Sequence, residues 1–572
     1  MAYNTSAAKE LRELLLQRAQ LIGLALETMP SIMTFHALGR MVLQQANVST
    51  YLSVFVNDGL RREIWFSNWL TERLKTDSKA LLKVIDISTK HQSPFNFQSQ
   101  LEYQEYISDG EFRSLQDEKV DSYEELVIAN WLFLHSVKYC YKPRVKPKYS
   151  TKIGVNHSAH FYLADGKDQR THNMKGQDFK DDATKIEKKL RFIMKKIGVK
   201  TKEKPSEEIF QTLNNNGSIL EGIQLYLKCL QAIRTEQLNE EDILKRLRSA
   251  KINNAKKQAA FLWEITEAYK MELLRQDAID FDDMILRSIE ALQSQCFIPK
   301  WQHILIDEFQ DISGARMELI NHLVRFGPQP CLTAVGDDWQ AIYRFAGGKL
   351  ELTTQFDTLV GSNTKTLLQK TFRYNNSIAE VAGSFVMQNP EQFKKQIQTH
   401  NQVTDPQVYL LDSRTAENEN KIENRALQVV ETIRQHDATG SIAILARYRY
   451  LLTNAQKHIA NKHNAHIHYW TFHGAKGLEA DYCILLGFFK GKVGFPNQKQ
   501  AEALLEALLP EVDTFPHSEE RRLFYVALTR ARRKSYIIAD SIHPSLFVKE
   551  LLEKNHKIYA MESFSQNPFH DP

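Results

Sequence analysis

The clearest pattern in the chain is a series of short apolar runs that end abruptly in polar residues and alternate with segments of helical periodicity. Ile304–Ile306, preceded by His303, predicts a short buried strand, and Cys331–Val335 predicts a second one. The segment between them, Gly314–Phe326, has the spacing of a helix. Strands that alternate with helices are typical of an α/β protein with parallel sheets.

A second sheet is predicted in the last third of the chain. Val408–Asp412 and Ser441–Tyr448 each predict a strand, with a helix between them. Ile467–Gly487 predicts a strand, a glycine-containing loop and another strand, and Glu519–Ala539 predicts a helix followed by a strand. We therefore predict an α/β fold with two parallel-sheet lobes.

The pattern changes between Gln45 and Ser249, where aromatic residues, lysines and helical periodicity dominate and strand alternation is sparse. This change predicts a large, mostly helical insertion in the first lobe. The predicted domains are the first lobe at residues 1–46 and 250–355, the insertion at 47–249 and the second lobe at 356–572.

One part of the insertion, near residues 120–166, resembles a restriction-endonuclease-like core. Ser122 is placed to cap a helix with Glu125 in its first turn, a strand is predicted through Cys140, and His160–Gly166 is its predicted hairpin partner. That core gathers metal ions with a Glu, an Asp and a Glu-x-Lys pair. Here His160 stands where the Asp is expected, and no Glu-x-Lys follows in a strand-like setting. We therefore predict a structural or DNA-gripping remnant rather than a nuclease.

Length and charge narrow the class of protein. A chain of 572 residues with 42% hydrophobic residues is too long for one core and predicts three or four compact units. The net charge of +5 is mild, but lysines and arginines crowd the region Lys138–Lys257. This basic region is either a set of solvated helix faces or a surface that follows phosphates, and charge alone does not separate the two.

Cysteine usage and the absence of long apolar runs indicate a compartment. The five cysteines lie far apart and form no CxxC pair, which argues against a zinc site or a disulfide framework. No apolar run approaches a membrane-spanning length, and the N-terminus lacks the pattern of a signal peptide. We expect a cytoplasmic protein.

Polar side chains follow both predicted strands of the first lobe. Asp307 and Glu308 come directly after the first strand, and Gln340 follows the second. In an open α/β sheet, ligands bind at the carboxyl ends of the strands. One carboxylate there is suited to hold Mg²⁺ and another to orient water, while an amide is suited to contact a γ-phosphate. The alternative is an ordinary solvated acidic turn.

Three further side chains have a possible role in binding. Tyr343 and Phe345 lie two residues apart, so in an extended segment they point the same way. Exposed rings at that spacing suit stacking on unpaired bases, each worth roughly 1–3 kcal/mol, although buried core aromatics share the spacing. Arg530 lies at a predicted helix-to-strand junction, where it either reaches a nucleotide or is a surface arginine.

Six segments in a fixed order resemble the motif series of superfamily 1 DNA helicases of the UvrD/Rep group. They are TFHALG, LIDEFQD, VGDDWQAIYRFAGG, TFRYN, TFHGAKGLEAD and YVALTRA. Six motifs in the correct order are very specific. The resemblance covers both ends of the chain and most of its second half, and it implies two RecA-like lobes, of which the first is incomplete.

The resemblance also implies roles for individual residues. Asp307 would bind Mg²⁺, Glu308 would be the catalytic base, and Gln340 would sense the γ-phosphate of ATP. Arg373 and Arg530 would stabilise the transition state, Phe372 would stack on adenine and Glu479 would contact the ribose. The residues implied to lie along DNA are Tyr3, Phe35, His36, Tyr343, Phe345, His473 and Lys476. The implied cofactors are ATP and Mg²⁺, and the implied partner is single-stranded DNA or DNA with a 3′ single-stranded tail.

The chain departs from the family pattern in two respects. The family begins with a strand and a phosphate-binding loop ending in Gly-Lys-Thr or Gly-Lys-Ser, whereas no GxxxxGK[ST] occurs here. Residues 2–8 match the family's next motif, so we expect the loop, its strand and the preceding adenine-binding segment to be absent. In the second lobe only Thr453–His466 occupies the place of a large accessory domain.

Two functions follow as expectations. The first is an ATP-driven 3′–5′ DNA helicase or translocase, and the second is an ATPase-dead single-stranded DNA-binding remnant of one. We expect the chain alone to hydrolyse ATP very poorly. A nuclease-linked helicase is a lesser third option.

Overall fold

The computed structural model describes most of the chain, and it divides the chain into two compact units. The described residues are 1, 5–24, 29–76, 112–143, 151–155, 158–163, 171–174, 183–201, 209, 211–213, 218–252, 254–414, 422–460, 467–491, 494–497, 503–511, 515–554 and 556–564. The first unit comprises residues 1–52, 232–238 and 273–572, and the second comprises residues 53–231 and 239–272. The predicted boundaries between lobes and insertion stay predictions.

The helices, in chain order, are α1 Thr5–Leu21, α2 Phe35–Gln45, α3 Val54–Asn57, α4 Gly59–Thr76, α5 Tyr123–Leu134, α6 Ala183–Ile197, α7 Ser218–Thr235, α8 Glu240–Ser249, α9 Ala255–Arg275, α10 Phe281–Gln293, α11 Gly314–Phe326, α12 Glu351–Thr354, α13 Phe356–Leu359, α14 Asn376–Val386, α15 Ile422–His436, α16 Arg449–Ala460, α17 Ala503–Glu506, α18 Ser518–Leu528 and α19 Leu546–Glu553. The strands are β1 Phe112–Arg113, β2 Lys119–Val120, β3 Tyr139–Tyr141, β4 Thr151–Val155, β5 Ser158–Leu163, β6 Thr171–Met174, β7 His303–Ile306, β8 Cys331–Ala334, β9 Lys370–Asn375, β10 Gln398–Asn401, β11 Val408–Asp412, β12 Ile442–Ala446, β13 Ile467–Thr471, β14 Ala480–Phe488, β15 Ala531–Ala539 and β16 Tyr559–Ala560.

The largest sheet of the first unit has six strands, all parallel, in the order β13-β12-β14-β15-β11-β16. All five residues of β12 are buried, as expected for a parallel strand covered on both faces. Successive residues of β12 join different hydrophobic clusters: Ala443 and Leu445 pack on the α14 side, whereas Ile442 and Ile444 pack on the α15 and α16 side. Helices therefore cover both faces of this sheet, and the predicted α/β fold with parallel sheets is confirmed.

The two strands of the predicted first lobe, β7 and β8, form a parallel pair in which Ile306 lies opposite Ala334. The prediction of two fully buried strands is wrong for both. Ile304 and Ile306 are buried against α2, α10 and α11, but Leu305 between them is 61% exposed, because helices among the described residues cover only one face. The helix predicted between the two strands is confirmed with the same limits, as α11.

The second unit combines helices with a four-stranded sheet in the order β3-β5-β4-β6. The predicted pairing is confirmed in part: β3 pairs antiparallel with β5, but β4 lies between them in the chain and is the hairpin partner of β5. Helices α5 and α6 share one hydrophobic core with this sheet. The carboxylate of Glu125 accepts hydrogen bonds from the Tyr141 hydroxyl at 2.7 Å and the Asp121 N–H at 2.9 Å, and it pairs with His160. These contacts tie the first turn of α5 to the sheet. Among the described residues no group of three or more His, Cys, Asp or Glu side chains is arranged to hold a metal ion.

Among the described residues, no helix is both long enough and apolar enough to cross a bilayer.

Candidate functional site

The acidic residues after β7 lie in a strained turn. Glu308 has φ 52° and ψ 44°, a left-handed conformation that costs a non-glycine residue on the order of 1–3 kcal/mol. A 3₁₀ turn, Phe309–Asp311, follows and is anchored by the buried ring of Phe309. Burial, and then the neighbouring charge of Glu308, raise the pKa of Asp307. Two adjacent carboxylates are thus held at the carboxyl end of the strand.

Gln310 joins this turn to the loop after β8. Its side-chain oxygen accepts the N–H of Asp337 at 2.9 Å, and its amide nitrogen donates to Glu308. A Cβ on Gly336 would lie 2.7 Å from that oxygen, so the glycine is what allows the two loops to approach. Sequence reasoning missed Gln310, although its place two residues after the predicted base was visible in the motif.

The loop after β8 holds Gln340 in a network of its own. The Gln340 amide donates to Asp337 at 2.6 Å, and Lys395 pairs with both Asp337 and Asp338. Burial lowers the pKa of Lys395, but the two carboxylates outweigh it and raise that pKa overall. Lys395 was not found from the sequence because it lies in no motif.

Trp339, in the same loop, packs into the hydrophobic cluster of the six-stranded sheet. Its ring lies 5.3 Å from that of Tyr525, and its Nε1 donates to the Phe393 carbonyl at 3.0 Å. The loop that carries Gln340 is therefore anchored in the second lobe. No pattern in the sequence indicates this anchor, because spacing does not separate a buried tryptophan from an exposed one.

The predicted residues of the second lobe form an ion-pair cluster. Arg373 on β9 lies 3.4 Å from a Glu479 oxygen, and Arg532 contacts the other oxygen of Glu479. Phe372, next to Arg373, is 66% exposed and has the ring of His400 at 5.1 Å. The ammonium group of Lys370 also lies 5.5 Å from the centroid of the Phe372 ring. The exposed part of the ring is suited to stack on a flat ring such as a base.

Arg530 is fully buried, so it is not the exposed, reaching arginine that the junction suggested. Its guanidinium donates to the carbonyls of Val526 at 2.9 Å and Leu478 at 3.3 Å. Burial, and then the charge of Arg373, lower the pKa of Arg530 to about 10. In this conformation Arg530 supplies a fixed positive field behind Arg373 rather than a direct contact to a ligand.

Charges from both lobes surround one pair of buried tyrosines. The hydroxyls of Tyr374 and Tyr525 lie 3.1 Å apart. Burial raises the pKa of Tyr374 first, the carboxylate of Asp337 raises it further, and Arg530 and Arg373 oppose that rise. Asp337 from the first lobe and the two arginines from the second therefore act on the same small region.

Three of the predicted DNA-contacting rings form a cluster. The ring centroids of Tyr343, Phe345 and His473 lie 5.6–6.3 Å apart, and the Tyr343 hydroxyl donates to the His473 carbonyl at 3.2 Å. Phe345 is 56% exposed. Burial, and then Arg447, lower the pKa of His473 to about 4, so its ring is neutral near pH 7.

The other predicted DNA contacts are placed differently. Phe35 is 4% exposed in the first-lobe core, so its ring is not free to stack on a base, because it packs with α10 and β7. His36 lies beside the half-exposed ring of Phe281 at 4.7 Å, and burial, then Arg316, lower its pKa to about 4. Lys476 is nearly buried in ion pairs with the acidic turn, and Tyr3 lies outside the described residues.

Comparison with known proteins gives two family-model matches and several relatives. Residues 1–361 match the model of the UvrD/REP helicase N-terminal domain, and residues 449–541 match that of the UvrD-like helicase C-terminal domain. DNA helicase IV of Escherichia coli K12 is 38% identical over 296 residues, covering 52% of this chain and 42% of that protein. The segments FIPKWQHILIDEFQDIS and AVGDDWQAIYRF resemble bacterial DNA helicase IV, and this relative confirms that likeness.

More distant relatives belong to the same group. ATP-dependent DNA helicase PcrA of Leuconostoc citreum is 28% identical over 198 residues, covering 34% of this chain and 25% of that protein. A crystal structure of the C-terminal domain of a possible DNA helicase from Lactobacillus plantarum WCFS1 is 15% identical, with a TM-score of 0.22 over 33% of this chain and 98% of that one; a score this low supports no argument. The chain spans less than half the length of DNA helicase IV of Escherichia coli and of PcrA of Leuconostoc citreum. Since the N-terminal family model alone matches well over half of its residues, the chain belongs to the UvrD/REP helicase family.

Proposed function

We propose that this chain is the motor part of an ATP-dependent DNA helicase that moves 3′ to 5′ along single-stranded DNA and acts in repair or recombination. The observation that carries the proposal is the convergence of both lobes on one region. Trp339, next to Gln340, packs 5.3 Å from the ring of Tyr525, and the Tyr525 hydroxyl lies 3.1 Å from that of Tyr374, the residue after Arg373. Closure of two lobes on a nucleotide requires this arrangement of acids and amide on one side and arginines on the other.

Asp307 is the residue best suited to hold Mg²⁺. It forms no ion pair with any described residue, and burial beside Glu308 raises its pKa, so a divalent cation would relieve two crowded negative charges. When bound with ATP, Mg²⁺ neutralises charge that develops on the phosphates.

Glu308 would orient and deprotonate the attacking water. Its left-handed backbone follows the end of β7, and the Glu308 carboxylate accepts a hydrogen bond from Gln310 and lies 3.3 Å from the Lys476 ammonium. Gln340 would exchange its bond to Asp337 for a phosphate oxygen, and Arg373 would exchange Glu479 in the same way. The exposed face of Phe372 would take the adenine ring.

Single-stranded DNA would stack on the cluster of Tyr343, Phe345 and His473. An exposed Phe345 beside a neutral His473 offers ring faces to any base, which suits a motor that moves without regard to sequence. Because rings from both lobes form the cluster, a change in lobe separation would change its shape. That coupling is what converts nucleotide hydrolysis into stepping.

A second function needs only the rings that are suited to DNA. Tyr343, Phe345 and His473 form a cluster in which Phe345 is 56% exposed. The alternative is therefore an ATPase-dead protein that binds single-stranded DNA through the ring cluster.

Release of radiolabelled phosphate from ATP, with and without single-stranded DNA, separates the two functions. For the motor we expect DNA-stimulated turnover that Glu308→Gln lowers at least about a hundredfold. Duplexes with a 3′ or a 5′ tail then test direction, and only the 3′-tailed duplex should be separated. DNA binding without turnover would establish the alternative, and turnover unchanged in Glu308→Gln would refute the assignment of the base.

A further inference from the structure

Lys476 was implied to lie along DNA, but the structure places its ammonium group inside the protein. It lies in the loop between β13 and β14, next to Ala475, which is fully buried in the second-lobe core. Only 7% of the Lys476 side chain is exposed. A lysine that tracks DNA phosphates keeps its charged end in solvent, so this burial is unexpected for that role.

The Lys476 ammonium contacts three groups that belong to the first lobe's hydrolysis side. It pairs with Asp311, lies 3.3 Å from a Glu308 oxygen and donates to the Gln340 carbonyl at 2.9 Å. Asp311 is 2% exposed, and its other oxygen is buried without a hydrogen-bond partner. Lys476 is therefore the ion-pair partner of a carboxylate that burial would otherwise leave strongly disfavoured.

The same ammonium also touches the DNA-facing side. It lies 5.3 Å from the centroid of the Tyr343 ring, within the range of a cation–π interaction. Tyr343 in turn contacts Phe345 and His473, the other two rings of the cluster. One charged group thus links the proposed catalytic carboxylate to the proposed base-stacking platform.

We propose that Lys476 is a positioning residue that couples occupation of the ring cluster by DNA to the orientation of Glu308. A base stacking on the cluster turns the Tyr343 ring and changes its contact with the ammonium. Because the ammonium is shared among Tyr343, Asp311 and Glu308, a weaker contact to the ring strengthens its hold on the carboxylates. This inference rests on the proposed motor function and names the residue through which DNA stimulates hydrolysis.

Two measurements on the full chain test the inference. The first is the ratio of ATP turnover with and without single-stranded DNA, which we expect Lys476→Met to lower at least about tenfold. The second is the salt dependence of DNA affinity by fluorescence anisotropy. Loss of a direct phosphate contact would lower the slope of log affinity against log salt by about one, whereas we expect no change for Lys476→Met.

Control variants separate coupling from folding and from surface charge. Lys476→Met combined with Asp311→Asn removes both buried charges, so it should fold while still lacking stimulation. Lys476→Arg keeps the charge and should retain part of the stimulation. Lys457→Met removes an exposed lysine of α16 and should behave like the wild type in both measurements.

The outcomes are distinct. A loss of stimulation with an unchanged salt slope supports the coupling role. A reduced slope means that Lys476 contacts a DNA phosphate. An unchanged stimulation ratio in the double variant means that Lys476 does not couple DNA binding to hydrolysis. Either result overturns the inference and leaves the proposed motor function standing. A wild-type chain without any turnover overturns the proposed function itself, and the coupling with it.

Discussion

Two of the parallel sheets of the first unit, the six-stranded sheet and the β7–β8 pair, have the same local pattern but different surroundings. In the six-stranded sheet, helices on both faces bury every residue of β12. In the β7–β8 pair, described helices cover one face only, and Leu305 and Val335 are 61% and 49% exposed. The functional side chains differ accordingly: Arg530 is locked by backbone carbonyls, whereas Glu308 sits in a strained turn. The comparison indicates a rigid second lobe that presents charge and a first-lobe edge that holds the reactive acids.

The largest expected difference is in the free energy of unfolding, between leucine-to-alanine substitutions at a buried position of one sheet and an exposed position of the other. Leu485→Ala, at a fully buried position of β14, should lower the free energy of unfolding by about 2–5 kcal/mol, because it leaves a cavity in a core that is covered on both sides. Leu305→Ala, on the exposed face of β7, should change it by no more than about 0.5 kcal/mol. Urea unfolding followed by circular dichroism compares them, and equal losses would mean that both sheets are buried alike.

Acidification should change the free energy of unfolding in opposite directions through one residue of each lobe, His473 in the second and Asp311 in the first. The pKa of His473 is lowered by burial to about 4, so the folded state resists a proton that the unfolded state accepts. Its contribution is fully present above about pH 6.5 and is lost as the pH falls towards 4, at a cost of up to about 3 kcal/mol.

Asp311 behaves in the opposite way in the same pH range. Its pKa is raised by burial to about 6, so its charged form opposes folding above that pH and the penalty disappears as the pH falls towards 4. His473→Gln should therefore make stability less sensitive to acid, and Asp311→Asn should make it more sensitive. Unfolding at several pH values between about 4 and 7 measures both, and shifts of the same sign would contradict the assignment.

The ring cluster tests whether the two lobes cooperate in binding DNA. Phe345→Ala from the first lobe and His473→Ala from the second should each weaken binding of a fluorescently labelled single-stranded oligonucleotide by roughly 1–3 kcal/mol. Each substitution removes a ring on which a base can stack. Tyr559→Ala removes an exposed ring of β16 and serves as the matched control. Fluorescence anisotropy measures the affinities. A loss confined to one of the two cluster variants would assign the platform to a single lobe.

The smallest effect concerns the strain at the first-lobe edge. Glu308→Gly should raise the free energy of unfolding by about 1 kcal/mol, because glycine adopts φ 52° without penalty. Glu308→Gln keeps the strain and loses the same charge, so it should show no such gain. Both variants should lower ATP turnover at least about a hundredfold. Equal free energies of unfolding for the two variants would mean that the left-handed conformation of Glu308 does not destabilise the protein.

Much of the candidate site was predictable because chemistry follows strand ends. Asp307, Glu308 and Gln340 come directly after apolar runs, and the structure places them in two loops that Gln310 joins. Phe372 and Phe345 are exposed, as base stacking requires. The burial of Phe35, Arg530 and Lys476 could not be predicted, because it depends on helices and loops distant in sequence that fold over these side chains.

The sequence by itself determined the order of strands and helices, the positions of the acids and amide, and the family, since these depend on local periodicity and on motifs read along the chain. Only the tertiary structure decided which strands are covered on both faces, that Trp339 anchors one loop in the other lobe, and that Lys476 turns inward to Asp311. The physical reason is that burial and ion pairing are set by contacts between segments that are distant in the chain, such as Lys476 and Asp311, and no local pattern encodes the far partner.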